Sequence, residues 1–274
     1  MFIQALNNLC SGSLTDQDLD LFKPREVLEA DVPDEAIRLF TENLSVDSYN
    51  NEKITKTPGD ERLVTARHTV LGKASVGMRE RALQSLQNKK YTEVGGLAYT
   101  VRLKLNMKYM ITTNLDVEDG LVNGSCGVLK LITFNLTANS TSVDKIWLDF
   151  GVNTAVGRKQ RLLYRDFMKN NNIDLHLTPI SRKSHWTTGN KNCAIQIERK
   201  QFPVVPAEAL TIHKSQGQTY QSICLDLNKC KRVTRSLLYV TLSRVTSLAG
   251  LYICSRRRYY SARLGTTFKS SRAA

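Results

Sequence analysis

Two stretches near the C-terminus hold side chains whose types and spacing suit phosphate chemistry: Thr211-Ile-His-Lys-Ser-Gln-Gly-Gln-Thr219 and Leu238-Tyr-Val-Thr-Leu-Ser-Arg-Val-Thr-Ser247. In the first, His213 and Lys214 are cations, and Ser215, Gln216 and Thr219 are short donors and acceptors. Gly217 suits the left-handed position that ends a helix. The pattern predicts a helix over 207–215 with Pro206 in its first turn, so His213 and Lys214 either complement the helix dipole or face an anion. The dipole accounts for the two cations and leaves 215–219 unexplained. A tight glycine turn feeding a strand at 222–226 is a place where parallel α/β sheets bind ligands.

The second stretch predicts a helix over 235–243. Leu238, Leu242 and Val245 form a core-facing stripe at helical spacing. Arg244 lies roughly 120° around the helix from that stripe at about 100° per residue, with Ser243 and Thr246 beside it. An arginine there either satisfies the last carbonyls of the helix or, next to a nucleotide, stabilises charge on a transferring phosphoryl group. The residues alone leave both readings open.

The elements that must position these side chains divide by period. Ser13 or Thr15 can cap an early helix with Asp16 and Asp18 in its first turn. A short strand follows at 36–40, a helix opens at 45–51, and 79–87 reads as an amphipathic helix. From 97 the period changes to two, with runs at 97–105, 108–113, 126–134, 144–150 and 193–199 separated by glycine and asparagine turns. After 202 the order returns to helix and strand, ending with a strand at 250–254. This predicts an α/β domain, a parallel sheet with helices, interrupted by a small β-rich insertion.

Composition sets the class of partner. The 274 residues carry a formal net charge of +14, unevenly distributed. Residues 1–60 hold five Lys/Arg against twelve Asp/Glu, a net of −7, which leaves +21 on the rest. A basic surface of that size is either a nucleic-acid footprint or a solvated surface without a specific partner. The cysteines at 10, 126, 193, 224, 230 and 254 form no Cys-x-x-Cys pair and have no histidines at ligand spacing, so no zinc or other metal site is expected. The N-terminus lacks a signal-peptide h-region, and no run is long enough to span a membrane. These features predict an intracellular protein without a membrane partner.

Taken together, the motifs resemble the C-terminal half of Pif-type (petite integration frequency) DNA helicases, with their Helitron-transposon and RecD-like relatives. Four blocks carry the resemblance in order. They are Arg38-Leu-Phe-Thr-Glu-Asn-Leu-Ser-Val-Asp-Ser-Tyr-Asn50; Leu103-Lys-Leu-Asn-Met-Lys-Tyr-Met-Ile-Thr-Thr-Asn-Leu115 with Gly120-Leu-Val-Asn-Gly-Ser-Cys-Gly-Val128; Arg199-Lys-Gln-Phe-Pro203 leading into 211–219; and 239–251. Asn106-Met-Lys-Tyr109 departs from the family, which usually has glycine and smaller apolar residues there.

The resemblance implies the second RecA-like motor domain over 35–130 and 200–256, interrupted by an SH3-like β insertion at 131–199. A helical lead-in would occupy 1–34 and a basic tail 257–274. It implies ATP and Mg²⁺ as cofactors, single-stranded DNA and duplex junctions as partners, and a first motor domain supplied in cis or in trans. Carried over by position, Arg244 is the arginine finger, and Ser215, Gln216 and Gly217 face the nucleotide. His213, Lys214, Thr219, Asn43 and Asn50 lie toward DNA, though the two asparagines equally suit turn caps. Lys183 and Trp186, in the basic segment 181–186 of the insertion, would suit a backbone-tracking groove with an aromatic stacking platform, which a solvated loop explains nearly as well. The resemblance implies work in DNA repair and recombination, in the nucleus, with the mitochondrion or cytoplasm as alternatives.

A motor also needs Gly-x-x-x-x-Gly-Lys-Ser/Thr and an acidic pair for Mg²⁺. Neither stands in these residues. Gly151-Val-Asn-Thr-Ala-Val-Gly157-Arg-Lys159 has one residue too many between its glycines and Arg in place of the lysine. The expectation is therefore a helicase portion that does not hydrolyse ATP alone. The alternative is a non-catalytic, single-stranded-DNA-binding remnant of a transposon-derived helicase.

Overall fold

The structure is a computed structural model that describes residues 1–72, 75–137, 140–151, 154–188, 195–230 and 233–254. The expected tail at 257–274 and the start of the 193–199 run lie outside these residues. The chain divides into two compact units: residues 1–55 with the segment from Glu208 onward, and residues 56–207.

The first unit opens with α1 (Phe2–Ser11), which buries Ala5 and Leu9 one turn apart and ends at Gly12 in the left-handed conformation. α2 (Asp16–Phe22) starts at Thr15. Its Oγ1 accepts from the Asp18 N–H while the Asp18 carboxylate accepts from the Thr15 N–H, a reciprocal cap; of the two expected capping residues, Ser13 and Thr15, it is Thr15 that caps. Next come β1 (Glu26–Val27), the wholly buried β2 (Ile37–Phe40), and α3 (Asn43–Lys56), which turns Val46, Asn50 and Ile54 inward.

The second unit begins with β3 (Glu61–Thr65), β4 (Arg67–Leu71) and α4 (Val76–Gln87), followed by β5 (Thr100–Lys104) and β6 (Lys108–Ile111). β7 (Cys126–Thr137) and β8 (Ser140–Asp149) form a long hairpin, after which α5 (Arg158–Leu163) and α6 (Arg165–Asn170) follow each other directly. β9 (Thr178–Ile180), β10 (Lys183–Thr188), β11 (Gln196–Gln201) and β12 (Val204–Pro206) complete it. Its sheets are antiparallel throughout, in the orders β12-β6-β7-β8-β9, β10-β11-β4 and β3-β5. The strands β3 to β6, which precede 131, thus pair within this unit, and the two compact units meet at 55/56 and 207/208.

The chain then returns to the first unit with β13 (Ala209–Thr211), β14 (Ile223–Asp226), α7 (Arg235–Leu242) and β15 (Leu251–Cys254). Here the strand order is β1-β15-β14-β2-β13, every pairing parallel. β2 and β14 are buried on both faces and are apolar except for the buried Arg38 and Asp226. The expected stripe of α7 holds: Leu238, Leu242 and Val245 are all buried.

One expected element is corrected. The 207–215 helix is the edge strand β13, paired with 38–40, followed by a single turn; Pro206 closes β12 and starts no helix. Ala209, Leu210 and Thr211 are all buried, and a short run buried on both faces carries no period that separates strand from helix.

The departure at 106–109 is accommodated locally. Asn106 takes φ of 63°, a left-handed turn that asparagine tolerates better than other non-glycine residues. Tyr109 is buried, and its hydroxyl donates to the Arg102 carbonyl at 2.9 Å while accepting from the Lys104 N–H at 2.8 Å.

Candidate functional site

The 211–219 turn leaves the C-terminal end of β13. The Ile212 N–H still reaches across to the Phe40 carbonyl at 2.9 Å, and then the chain closes one helical turn. The N–H groups of Lys214 and Ser215 converge on the Thr211 carbonyl at 2.9 and 3.2 Å. Ser215 is fully buried and its Oγ donates to the Ile212 carbonyl at 2.7 Å, so its hydroxyl proton is spent bracing the turn. Gly217 has φ of 79° with no heavy atom within 4 Å of where a Cβ would stand. Backbone conformation, and not space, makes glycine the fitting residue there. His213, Gln216, Gly217 and Thr219 are exposed, and Lys214 is half-buried. His213 and Lys214 stand in this turn, so the expected setting at the end of a longer helix is corrected along with that helix.

Arg244 follows the end of α7, its N–H closing onto the Thr241 carbonyl at 3.0 Å. The half-buried guanidinium donates from all three nitrogens: Nε to the Val240 carbonyl at 2.8 Å, Nη1 to the Gln218 carbonyl at 3.2 Å, and Nη2 to Ser243 Oγ at 2.8 Å. In return the Tyr220 N–H donates to the Arg244 carbonyl at 2.8 Å, beside a parallel bridge between Tyr220 and Val245. Of the two readings of Arg244, the geometry displays the one in which it satisfies carbonyls. It also joins the two motifs, because one of those carbonyls belongs to the turn. Gln218 belongs to the polar 215–219 run that the sequence marks, with no role of its own there; Tyr220 lies outside that run, and only its position just after the turn could mark it.

Asn43 is exposed at the first residue of α3. Asn50 is buried. Its Nδ2 donates to the Ala209 carbonyl at 3.1 Å and its Oδ1 accepts from the Ala209 N–H at 2.8 Å. β13 lies at the sheet edge, so the Asn50 amide takes the place of a further strand.

Lys183 and Trp186 belong to the other unit. The Lys183 ammonium donates to Thr113 Oγ1 at 3.2 Å and to the Asn114 carbonyl at 2.7 Å, which occupies it within the protein. Trp186 is exposed on the edge strand β10, with Ser184 and Thr188 on the same face. Across the ladder, Trp186 stands opposite Glu198, and the neighbouring row sets Lys200 and Arg67 beside Ser184.

A hydrogen bond with Cys254, reinforced by burial, pushes the Cys224 thiol far up. Among the described residues no group of three His, Cys, Asp or Glu could hold a metal ion. No helix among them is long and apolar enough to cross a membrane.

No family model matches the chain. It is similar to the ATP-dependent DNA helicase PIF1 of Emericella nidulans, 27% identical over 92% of this chain and 35% of the relative. A Bdellovibrio bacteriovorus protein named ATP-dependent DNA helicase Pif1 is 25% identical over 92% of this chain and 46% of its own length. Among solved structures, that of the Candida albicans Pif1 helicase superposes with a TM-score of 0.60 at 24% identity, covering 94% of this chain and 54% of that one. The chain thus spans between a third and about half the length of these relatives.

Proposed function

From the homology to Pif1-family DNA helicases that extends over most of its length, we propose that this chain is the second motor half of an ATP-dependent, 5′-to-3′ DNA helicase. In that reading the parallel unit is the second RecA-like domain and the antiparallel unit the SH3-like insertion. The observation that carries the proposal is the join between the two motifs, in which Arg244 and the 211–220 turn exchange hydrogen bonds. A motor must couple its nucleotide cleft to its DNA track, and a carbonyl shared between those motifs is such a coupling element.

The residues present fit one edge of an ATP site. Gln216 and Gly217 are exposed on the turn, and Arg244 is one released guanidinium away from presenting its fork to a phosphate. They do not fit the phosphate and Mg²⁺ cradle, which we assign to the first motor domain, supplied in cis or in trans. Single-stranded DNA and duplex junctions are the proposed substrates. His213, Lys214, Thr219 and Asn43 line the proposed track of the motor domain, and Trp186 supplies a stacking face on the insertion. Asn50 and Lys183 enter as supports of those surfaces, since both are engaged within the protein.

Anisotropy of a labelled oligo-dT with the purified chain tests this reading. Weak binding that falls by tenfold or more from about 50 to 200 mM salt is expected of several phosphate contacts. Affinity that ignores salt would overturn the DNA assignment. The chain alone is expected to show no DNA-stimulated ATP turnover, and turnover abolished by Arg244→Ala would overturn that division of labour.

A further inference from the structure

Within the antiparallel unit, α5 and α6 present an apolar surface that the fold does not consume. Leu162 is 60% exposed, Leu163 70% and Phe167 42%. The core beneath is filled by Trp147, Met168, Ile173 and Leu177, and Phe167 lies flat on Trp147 with ring centroids 6.1 Å apart. Within α5, Arg158 and Leu162 stand one turn apart, as do Lys159 and Leu163, and within α6 Arg165 and Lys169 do the same. Arg158, Arg165 and Lys169 are all exposed, and none is in an ion pair among the described residues. Lys159 is held by Asp116 at 3.0 Å. Asp166 is the only acid in either helix.

The surface is rigidly mounted although each helix has only six residues. Asp119 caps α5, accepting from the N–H groups of Lys159 and Gln160 at 2.6 and 3.0 Å. Arg161 is turned inward, donating to the Val156 and Thr154 carbonyls and to Thr178 Oγ1. The same pair of helices therefore sets one arginine aside for structure and leaves three cations exposed alongside Leu162, Leu163 and Phe167.

We propose that the α5–α6 surface docks an acidic amphipathic segment of a partner protein, its apolar side chains covering Leu162, Leu163 and Phe167 and its carboxylates meeting Arg158, Arg165 and Lys169. Charge complementarity selects that occupant. A nucleic-acid backbone would match the cations and leave two large aliphatic side chains in water. A membrane-surface helix is ordinarily continuous over several turns, and this one breaks at Tyr164. The inference is independent of the motor assignment, since it concerns a protein partner.

The probe is a labelled amphipathic helix of about 18 residues built from Leu and Glu, compared with a Leu/Lys counterpart and with labelled oligo-dT. The full chain should bind the acidic peptide over the basic one. Leu163→Ser and Arg165→Glu should each weaken that binding about tenfold or more. Both side chains are exposed, so the variants should keep the near-ultraviolet signal of Trp147, which verifies folding. Equal binding of the two peptides, or acidic-peptide binding unchanged in both variants, overturns the proposal. Oligo-dT binding lost in Leu163→Ser would reassign the surface to nucleic acid. Self-association in sedimentation that disappears in Leu163→Ser would reassign it to a second copy of this chain.

Discussion

The Arg244 guanidinium donates to the Gln218 carbonyl at 3.2 Å, across 26 residues of sequence, while the Arg244 carbonyl accepts from Tyr220 two residues further on. The side chain is therefore stowed against the turn that precedes β14. If it serves a phosphate, it exchanges these neutral acceptors for a charged one. Arg244→Ala should cost the isolated chain only about 1 kcal/mol of stability, since the site is half-exposed and its carbonyls can turn to water. In a chain carrying a phosphate-loop domain upstream, the same change should lower kcat for ATP by roughly 10³-fold or more. Arg244→Lys should recover stability better than turnover, because lysine lacks the planar fork. Urea denaturation and steady-state ATPase assays measure the two effects separately; equal losses in both would mean that Arg244 is only a brace.

Asn50 makes a contrasting prediction about stability. Its amide pairs both polar groups of Ala209 along the outer edge of β13, in a buried setting. Asn50→Ala should cost about 2–3 kcal/mol in chemical denaturation, because a donor and an acceptor lose their partners together. Asn50→Asp should be no better, since a carboxylate cannot donate to the Ala209 carbonyl. A loss below about 0.5 kcal/mol, the range of ordinary surface changes, would mean that water replaces the amide.

What the sequence made legible follows from where the physics is local. The Thr15 cap, the left-handed Gly217 and the stripe of Leu238, Leu242 and Val245 each depend on residues within one or two turns, and each is found. The 207–215 segment was misread because β13 owes its strand form to Arg38–Phe40, about 170 residues earlier in the chain. β3 was not anticipated, since of Glu61–Thr65 only Val64 is buried and no alternation results. Arg244 lies just beyond the end of α7, and its acceptor on Gln218 depends on a fold that brings two motifs together. For Asn50 the sequence leaves a DNA contact and a local cap open; the pairing with Ala209, 159 residues away, depends on the tertiary fold and has no local signal.

Asn106 tests the one departure from the family pattern. Its φ of 63° and the donation of its N–H to the Leu129 carbonyl at 2.7 Å fix the turn between β5 and β6. Asn106→Gly should leave stability within about 0.5 kcal/mol, because glycine takes this conformation freely and loses only an exposed contact with Lys130. Asn106→Val should cost about 1–2 kcal/mol through its β-branch. Thermal melts of the two variants side by side decide this, and equal melting temperatures would count against a strained turn.

The buried Arg199 makes stability depend on the charge of a histidine. Its guanidinium donates to the Leu97 carbonyl at 3.0 Å, the Leu86 carbonyl at 2.6 Å and His68 Nε2 at 3.0 Å, so His68 must be neutral with that nitrogen accepting. Burial, with the Arg199 charge beside it, holds His68 below the ordinary histidine range. The sign follows from proton counting. Between the depressed folded value and the unfolded value near 6.5, the unfolded chain binds more protons, so stability rises with pH there. His68's contribution is complete above about pH 6.5 and is lost as the pH falls through that window. Arg199 also faces His185 across the β10–β11 ladder, so the dependence must be isolated by substitution. His68→Gln keeps an acceptor for Arg199 without a titrating group. Relative to the parent chain it should gain stability as the pH is lowered from 7 to about 5, and parallel denaturation midpoints across that range would remove His68 from the account.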